Sequence, residues 1–121
     1  MECEFRRASP PPEGLLRIED CLDADGHIAL PPDVTLLSLI ERNIAAVGDT
    51  VAYRYLDHAR DTVVELTWAH LGVRVEAVGA HVQRATAPGD RVAILAPQGA
   101  DYVAGFFAAV KAGAIAVPLF A

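Results

Sequence analysis

Lysine is nearly absent from this sequence: Lys111 stands alone beside nine arginines. With 22 alanines among 121 residues, that imbalance reads as the coding bias of a GC-rich genome and not as chemistry. Cysteine is as scarce. Cys3 and Cys21 are the only two, which excludes a disulfide framework and the paired spacing of a zinc site. Two free thiols and a reducing, cytoplasmic setting are the expectation. Positive charge is short overall, with 10 Lys and Arg against 16 Asp and Glu, a net of −6. A nucleic-acid surface needs a basic patch, and none is present. The deficit is local: residues 1–33 hold eight acids and three arginines, whereas the other 88 hold eight acids and seven bases. No apolar core follows the charged start (Glu2, Glu4, Arg6, Arg7), so these residues are not expected to be a secretory signal.

Long hydrophobic runs are limited to one, Tyr102 to Ala121, with Lys111 near its middle. A lysine at the centre of a membrane span costs roughly 2.5–3.5 kcal/mol. Gly113 and Pro118 break the run where a helix would stop and a strand follow. No transmembrane segment is therefore expected. What remains is globular in kind, 53% hydrophobic and 21% charged. A chain of this size buries roughly two thirds of its unfolded surface, enough for one core.

Residues 1–32 form an acidic, Pro-rich lead, with Pro10, Pro11 and Pro12 and then two short apolar runs, Leu15 to Ile18 and His27 to Leu30. Asp25-Gly26 between the runs is a turn dipeptide, so a small hairpin is expected there. The second unit, 33–121, starts after Pro31-Pro32. Leu36, Leu37, Ile40, Ile44 and Val47 recur at helical spacing, predicting a helix from Asp33 or Thr35 to a left-handed cap at Gly48. Residues 50–57 alternate, with Val51, Tyr53 and Tyr55 on one side, and a polar loop leads into a second strand at 62–66, completing a hairpin. Thr67 is placed to cap a helix running to about Ala85, with Leu71, Val75, Val78 and Val82 as its buried stripe. Arg91 to Ala96 reads as a strand buried on both faces of a parallel sheet. A helix over 100–112, apolar nearly all round and so sandwiched between layers, leads past Gly113 to a strand over 115–119. The fold class is α/β: a hairpin plus a βαβ unit with flanking helices.

Candidate chemistry is thin. His70 and His81 share a helix face but lie eleven residues apart, about 16 Å along the axis, too far for one metal ion. His27 and His58 fall in turns. The turn Ala96 to Asp101 joins a strand to a helix N-terminus, a place where phosphate often binds, yet it has one glycine and no P-loop lysine. Asp101 there opposes an anion. Ser9, Ser38, Cys3, Cys21 and Lys111 have no visible partner base, and Lys111 reads as a surface charge facing a helix C-terminus. The pairs Glu19-Asp20 and Asp23-Asp25 read as solvent-facing. No catalytic, cofactor-binding or metal-ligating residue is assigned.

Three stretches carry a resemblance. Leu66-Thr67-Trp68-Ala69-His70-Leu71 resembles the first core motif of adenylate-forming enzymes, and Val110 to Leu119 (VKAGAIAVPL) resembles their second. Between them, Gly89 to Leu95 (GDRVAIL) resembles the family's Gly-Asp-x-Val strand, in matching order and spacing. Within the superfamily the chain is most similar to mycobacterial-type fatty acyl-AMP ligases, through Tyr53 to Asp57, Gly89 to Gln98, Asp101-Tyr102, Phe106-Phe107 and Ile115 to Phe120. The resemblance spans about residues 27–121 and leaves the lead unmatched. Ala100 and Val110-Lys111 depart from that branch.

The resemblance implies the N-terminal part of the large domain of an enzyme that uses ATP and Mg2+ to convert a fatty acid to an acyl-adenylate. It further implies transfer to an acyl carrier protein or polyketide synthase. It implies that the phosphate loop, adenine and ribose contacts and catalytic lysine lie beyond these residues, leaving this chain inactive alone. A long-chain acyl-CoA ligase, a peptide-synthetase adenylation domain and a non-enzymatic scaffold or membrane-associated module are the alternatives.

Overall fold

A computed structural model describes residue 15 and residues 17–119 of the chain. The Pro10 to Pro12 stretch, Cys3, Ser9 and Phe120 lie outside the described residues. The hairpin expected in the lead is reduced, among the described residues, to one antiparallel bridge, Leu22 to Ile28, and a 3-10 turn at Ile18–Cys21 starts at the last residue of the first apolar run. Gly26 closes the turn at φ 81.

Helix α1, Leu36–Val47, opens with a reciprocal cap. Thr35 Oγ1 accepts from the Ser38 amide at 3.1 Å, and Ser38 Oγ accepts from the Thr35 amide at 2.8 Å. Serine replaces the usual glutamate of that arrangement. At the other end the expected left-handed cap is not used. Gly48 stays right-handed at φ −50, because the chain turns at once, with the Thr50 amide and hydroxyl both donating to the Val47 carbonyl.

Strands β1, Val51–Asp57, and β2, Thr62–Thr67, pair antiparallel, with an irregularity between Val51 and Tyr53. The register sets Tyr53 opposite Leu66 and Tyr55 opposite Val64. Helix α2 follows without a linker over Trp68–Ala85, capped by Thr67 Oγ1, which accepts from the His70 amide at 3.2 Å. Its buried stripe is Leu71, Val75 and Gly79. Val78, expected inside, is exposed and Val82 half-buried. The stripe shifts by one position because helix α3, Ala100–Lys111, lies over Gly79: a Cβ there would already touch the Ala108 carbonyl at 3.6 Å.

Strands β3, Arg91–Ile94, and β4, Ile115–Pro118, pair in parallel, joined by α3, so the βαβ unit forms as expected. The strand β3 ends two residues earlier than its apolar run, and Ile94 alone of its four residues is buried. With β4 as its one partner among the described residues, it lacks the layers that would cover both faces. Helix α3 buries Ala104, Ala108 and Ala109, while Tyr102, Phe106 and Phe107 are half-buried. The core is Leu66, Leu71, Val75 and Ala104, with Trp68, Val103 and Phe107 packed against it. No helix of the described residues is long and apolar enough to cross a membrane.

Candidate functional site

The three motif stretches converge on one region. Leu66 is buried one residue before the end of β2, Thr67 caps α2, and Leu71 is fully enclosed one turn on, so the first stretch supplies a strand-to-helix corner and half the core. The second stretch ends α3 at Lys111, turns at Gly113 and runs along β4. It is tied to the Gly-Asp strand by two backbone bonds: the Gly89 amide donates to the Gly113 carbonyl, and the Ile115 amide to the Asp90 carbonyl at 2.7 Å. Both glycines have positive φ, 88 and 77, a conformation that costs other residues roughly 1–2 kcal/mol.

Two of the concavities among the described residues bear on this region. One, about 270 Å³, lies between the hairpin and the N-terminus of α3, with Tyr53, Tyr55, Gln98 and Tyr102 among its lining. Each described arginine that lines it or the adjoining Gln98 to Asp101 turn already has a carboxylate. Arg54 bonds Glu65 across the hairpin at 2.6 Å, Arg60 bonds Asp57 at 2.8 Å, and Arg74 bonds Asp101 at 2.8 Å. Among the described residues no surplus cation faces the Gln98-Gly99 turn, and Asp101 sits in the first turn of α3. The site therefore does not fit the phosphates of ATP. The other concavity, about 450 Å³, runs between α1 and α2 and ends at Lys111, Glu41 and Glu76.

Lys111 is not the free surface charge expected from the sequence. Its ammonium donates to Glu76 Oε1 on α2 and lies 3.6 Å from Glu41 Oε1 on α1. It thereby joins three helices. The hydrogen bond to Glu76 holds its pKa above the usual lysine value; desolvation opposes this, and the charges of Glu76 and Glu41 add to it.

The remaining candidates are structural. His70 and His81 are both exposed, and His81 Nδ1 lies 2.9 Å from the Ala77 carbonyl. Asp23, Asp25 and His27 cluster on the surface, but Asp23 Oδ1 accepts from the amides of Asp25 and His27, each at 2.9 Å, which explains the grouping as a turn. It gives Mg2+ no enclosed donor set. Asp20 likewise accepts from the Arg17 amide, and Glu19 is exposed. Cys21 is a half-buried free thiol. The ion pairs went unread in the sequence. Arg54–Glu65 was accessible to it, since a four-residue loop pairing Asp57 with Thr62 sets 54 opposite 65. Lys111–Glu76 and Arg74–Asp101 span 35 and 27 residues and depend on how helices cross.

The model of the AMP-binding enzyme family matches residues 40–121. Long-chain-fatty-acid–AMP ligase FadD32 of Mycolicibacterium smegmatis is 50% identical over 99 residues, which are 79% of this chain and 16% of that protein. Putative fatty-acid–CoA ligase FadD21 of Mycobacterium tuberculosis is 40% identical over 90 residues, 72% of this chain and 16% of its own. Among solved structures, the fatty acid AMP ligase from Legionella pneumophila superposes with a TM-score of 0.66 at 26% identity, covering 70% of this chain and 15% of that one. The chain thus spans about one sixth of the length of the relatives it matches.

Proposed function

The chain belongs to the AMP-binding enzyme family, and from that premise we propose that it forms the N-terminal part of a fatty acyl-AMP ligase. The observation that carries the reading is the 50% identity to the FadD32 ligase over 99 residues. On this reading residues 1–32 are a lead and 33–121 open the adenylation domain. The complete enzyme, a cytoplasmic protein, joins a fatty acid carboxylate to the α-phosphate of ATP with Mg2+ and releases pyrophosphate. The acyl-adenylate then passes its acyl group to an acyl carrier protein or polyketide synthase, and AMP leaves.

The residues described here serve that enzyme as framework. The corner at Thr67 fixes the direction of α2, the Gly89–Gly113 bond fixes β4 against β3, and Lys111 fixes α1 and α2 against the end of α3. None of these elements presents a base, nucleophile or phosphate cradle. ATP and Mg2+ are therefore assigned to the portion of the enzyme beyond these residues.

A coenzyme A acceptor is the second reading, favoured by the 40% identity to a relative named as a putative fatty-acid–CoA ligase. The test uses full-length protein with ATP, Mg2+ and long-chain acids. Acyl-adenylate should accumulate, resist coenzyme A and discharge onto a carrier protein. Rapid acyl-CoA formation would instead establish the second reading, and absence of any adenylate would remove both.

A further inference from the structure

The small ribbon in the lead is held by the bonds that flank its bridge. The Asp23 amide donates to the His27 carbonyl at 2.9 Å, and the Ala29 amide to the Cys21 carbonyl at 2.8 Å. Leu22 and Ile28 between them are therefore a non-hydrogen-bonded pair. In such a pair the side chains share one face, and each residue turns its own amide and carbonyl away from the partner strand. On the Ile28 side this leaves an open edge. Among the described residues, neither the amides nor the carbonyls of Ile28 and Leu30 have a hydrogen-bond partner. Pro31 and Pro32 end the edge. Its side chains belong to no core: Ile28 is 81% exposed, and Leu22 and Leu30 are exposed with it. An open edge with an apolar face is a template for one more strand.

Charge selects the strand. Over residues 17–33, Glu19, Asp20, Asp23, Asp25 and Asp33 are set against one arginine, Arg17. Among the described residues none of the five pairs with an arginine or lysine, whereas Glu41, Asp57, Glu65, Glu76 and Asp101 all do. Asp23 has only His27, at 3.7 Å. Nucleic acid, anionic lipid and a second copy of the same acidic ribbon are repelled. The ribbon also lies before residues 40–121, so it is not an element of the matched family model. We propose that residues 28–30 accept an extended segment of another protein, one that alternates aliphatic residues with arginine or lysine. Its backbone bonds to Ile28 and Leu30, its aliphatic side chains lie over Leu22 and Ile28, and its cations reach the acids of the turn, Asp23 and Asp25.

The probe is a short synthetic peptide of alternating valine and arginine, titrated into full-length protein. It should bind with an affinity that falls as salt rises, and it should slow amide exchange at Ile28 and Leu30. A valine-glutamate peptide should not bind, nor should the valine-arginine peptide with alternate amides methylated. Asp25→Lys and Ile28→Lys, both at exposed positions, should each weaken binding. The second should do so at least about tenfold, because a lysine on an edge blocks strand addition. The peptide comparisons need no variant, so they decide the matter even if Ile28→Lys disturbs the turn. No binding, equal binding of the glutamate or methylated peptide, or folded variants that both bind as wild type does would each overturn the proposal. Binding that leaves exchange at Ile28 and Leu30 unchanged would overturn it too, reducing the contact to unspecific attraction of charge.

Discussion

The Gly89 amide donates to the Gly113 carbonyl across 2.8 Å, joining the turn before β3 to the turn before β4. Twenty-four residues separate the two in sequence, and both sit at positive φ. The bond starts the parallel register, with Arg91 beside Ile115 two residues further along.

Replacing Gly113 by alanine should therefore destabilise full-length protein by about 1–2 kcal/mol through backbone strain. Steric conflict is not the cause, because the added Cβ would lie 3.9 Å from Pro88. Gly89→Ala should cost a similar amount, its Cβ meeting nothing within 4 Å. Denaturant midpoints check both. An unchanged midpoint for either would show that the turn relaxes to negative φ.

At the start of α2, Thr67→Val removes the oxygen that the His70 amide uses while keeping the side-chain shape. A lost N-cap costs about 1 kcal/mol. Thr67→Ser should recover most of it. Equal melting of the valine and serine variants would show that the hydroxyl is idle and that shape alone matters.

These corners were legible because they depend on local chemistry. Thr67 ahead of a helical stripe and Gly-Asp ahead of an apolar run mark boundaries with no knowledge of partners. What could not be read depends on which surface arrives opposite. Val78 and Gly79 are adjacent, and periodicity favours the valine; the approach of Ala108 selects the glycine. The apolar run at β3 implies cover on both faces, which the described residues do not supply, as Leu95 at 68% exposure shows.

Lys111→Met keeps the aliphatic stem and removes the charge that joins Glu76 and Glu41. These are partly exposed pairs, so the loss should be about 1 kcal/mol or less near neutral pH. The folded-state pKa of Lys111 is raised, so its contribution is complete below the ordinary lysine pKa and fades as pH climbs through the folded value. The melting difference between wild type and variant should thus hold from neutral into mildly alkaline solution and shrink only in strong alkali. A difference that vanished between neutral and mildly alkaline pH would show that other groups produce it.

The last prediction separates two effects at Gly79, buried mid-helix against Ala108. Glycine costs a helix roughly 1 kcal/mol relative to alanine. A Cβ at this position would lie 3.6 Å from the Ala108 carbonyl and 3.9 Å from its Cα, ordinary contact with no overlap. Gly79→Ala should then be neutral or stabilising by up to about 1 kcal/mol, since propensity is gained and no helix must move. Gly79→Leu reverses the sign. Its added carbons have no room between α2 and α3, and overpacking a close contact costs about 1–3 kcal/mol. Because α3 carries β4, the leucine should also disturb the β3–β4 pairing, read as faster amide exchange at Gly89 and Ile115, the two donors that hold the turns together. A leucine variant as stable as the alanine one would mean that α2 and α3 are further apart at Gly79 than 3.6 Å contact allows.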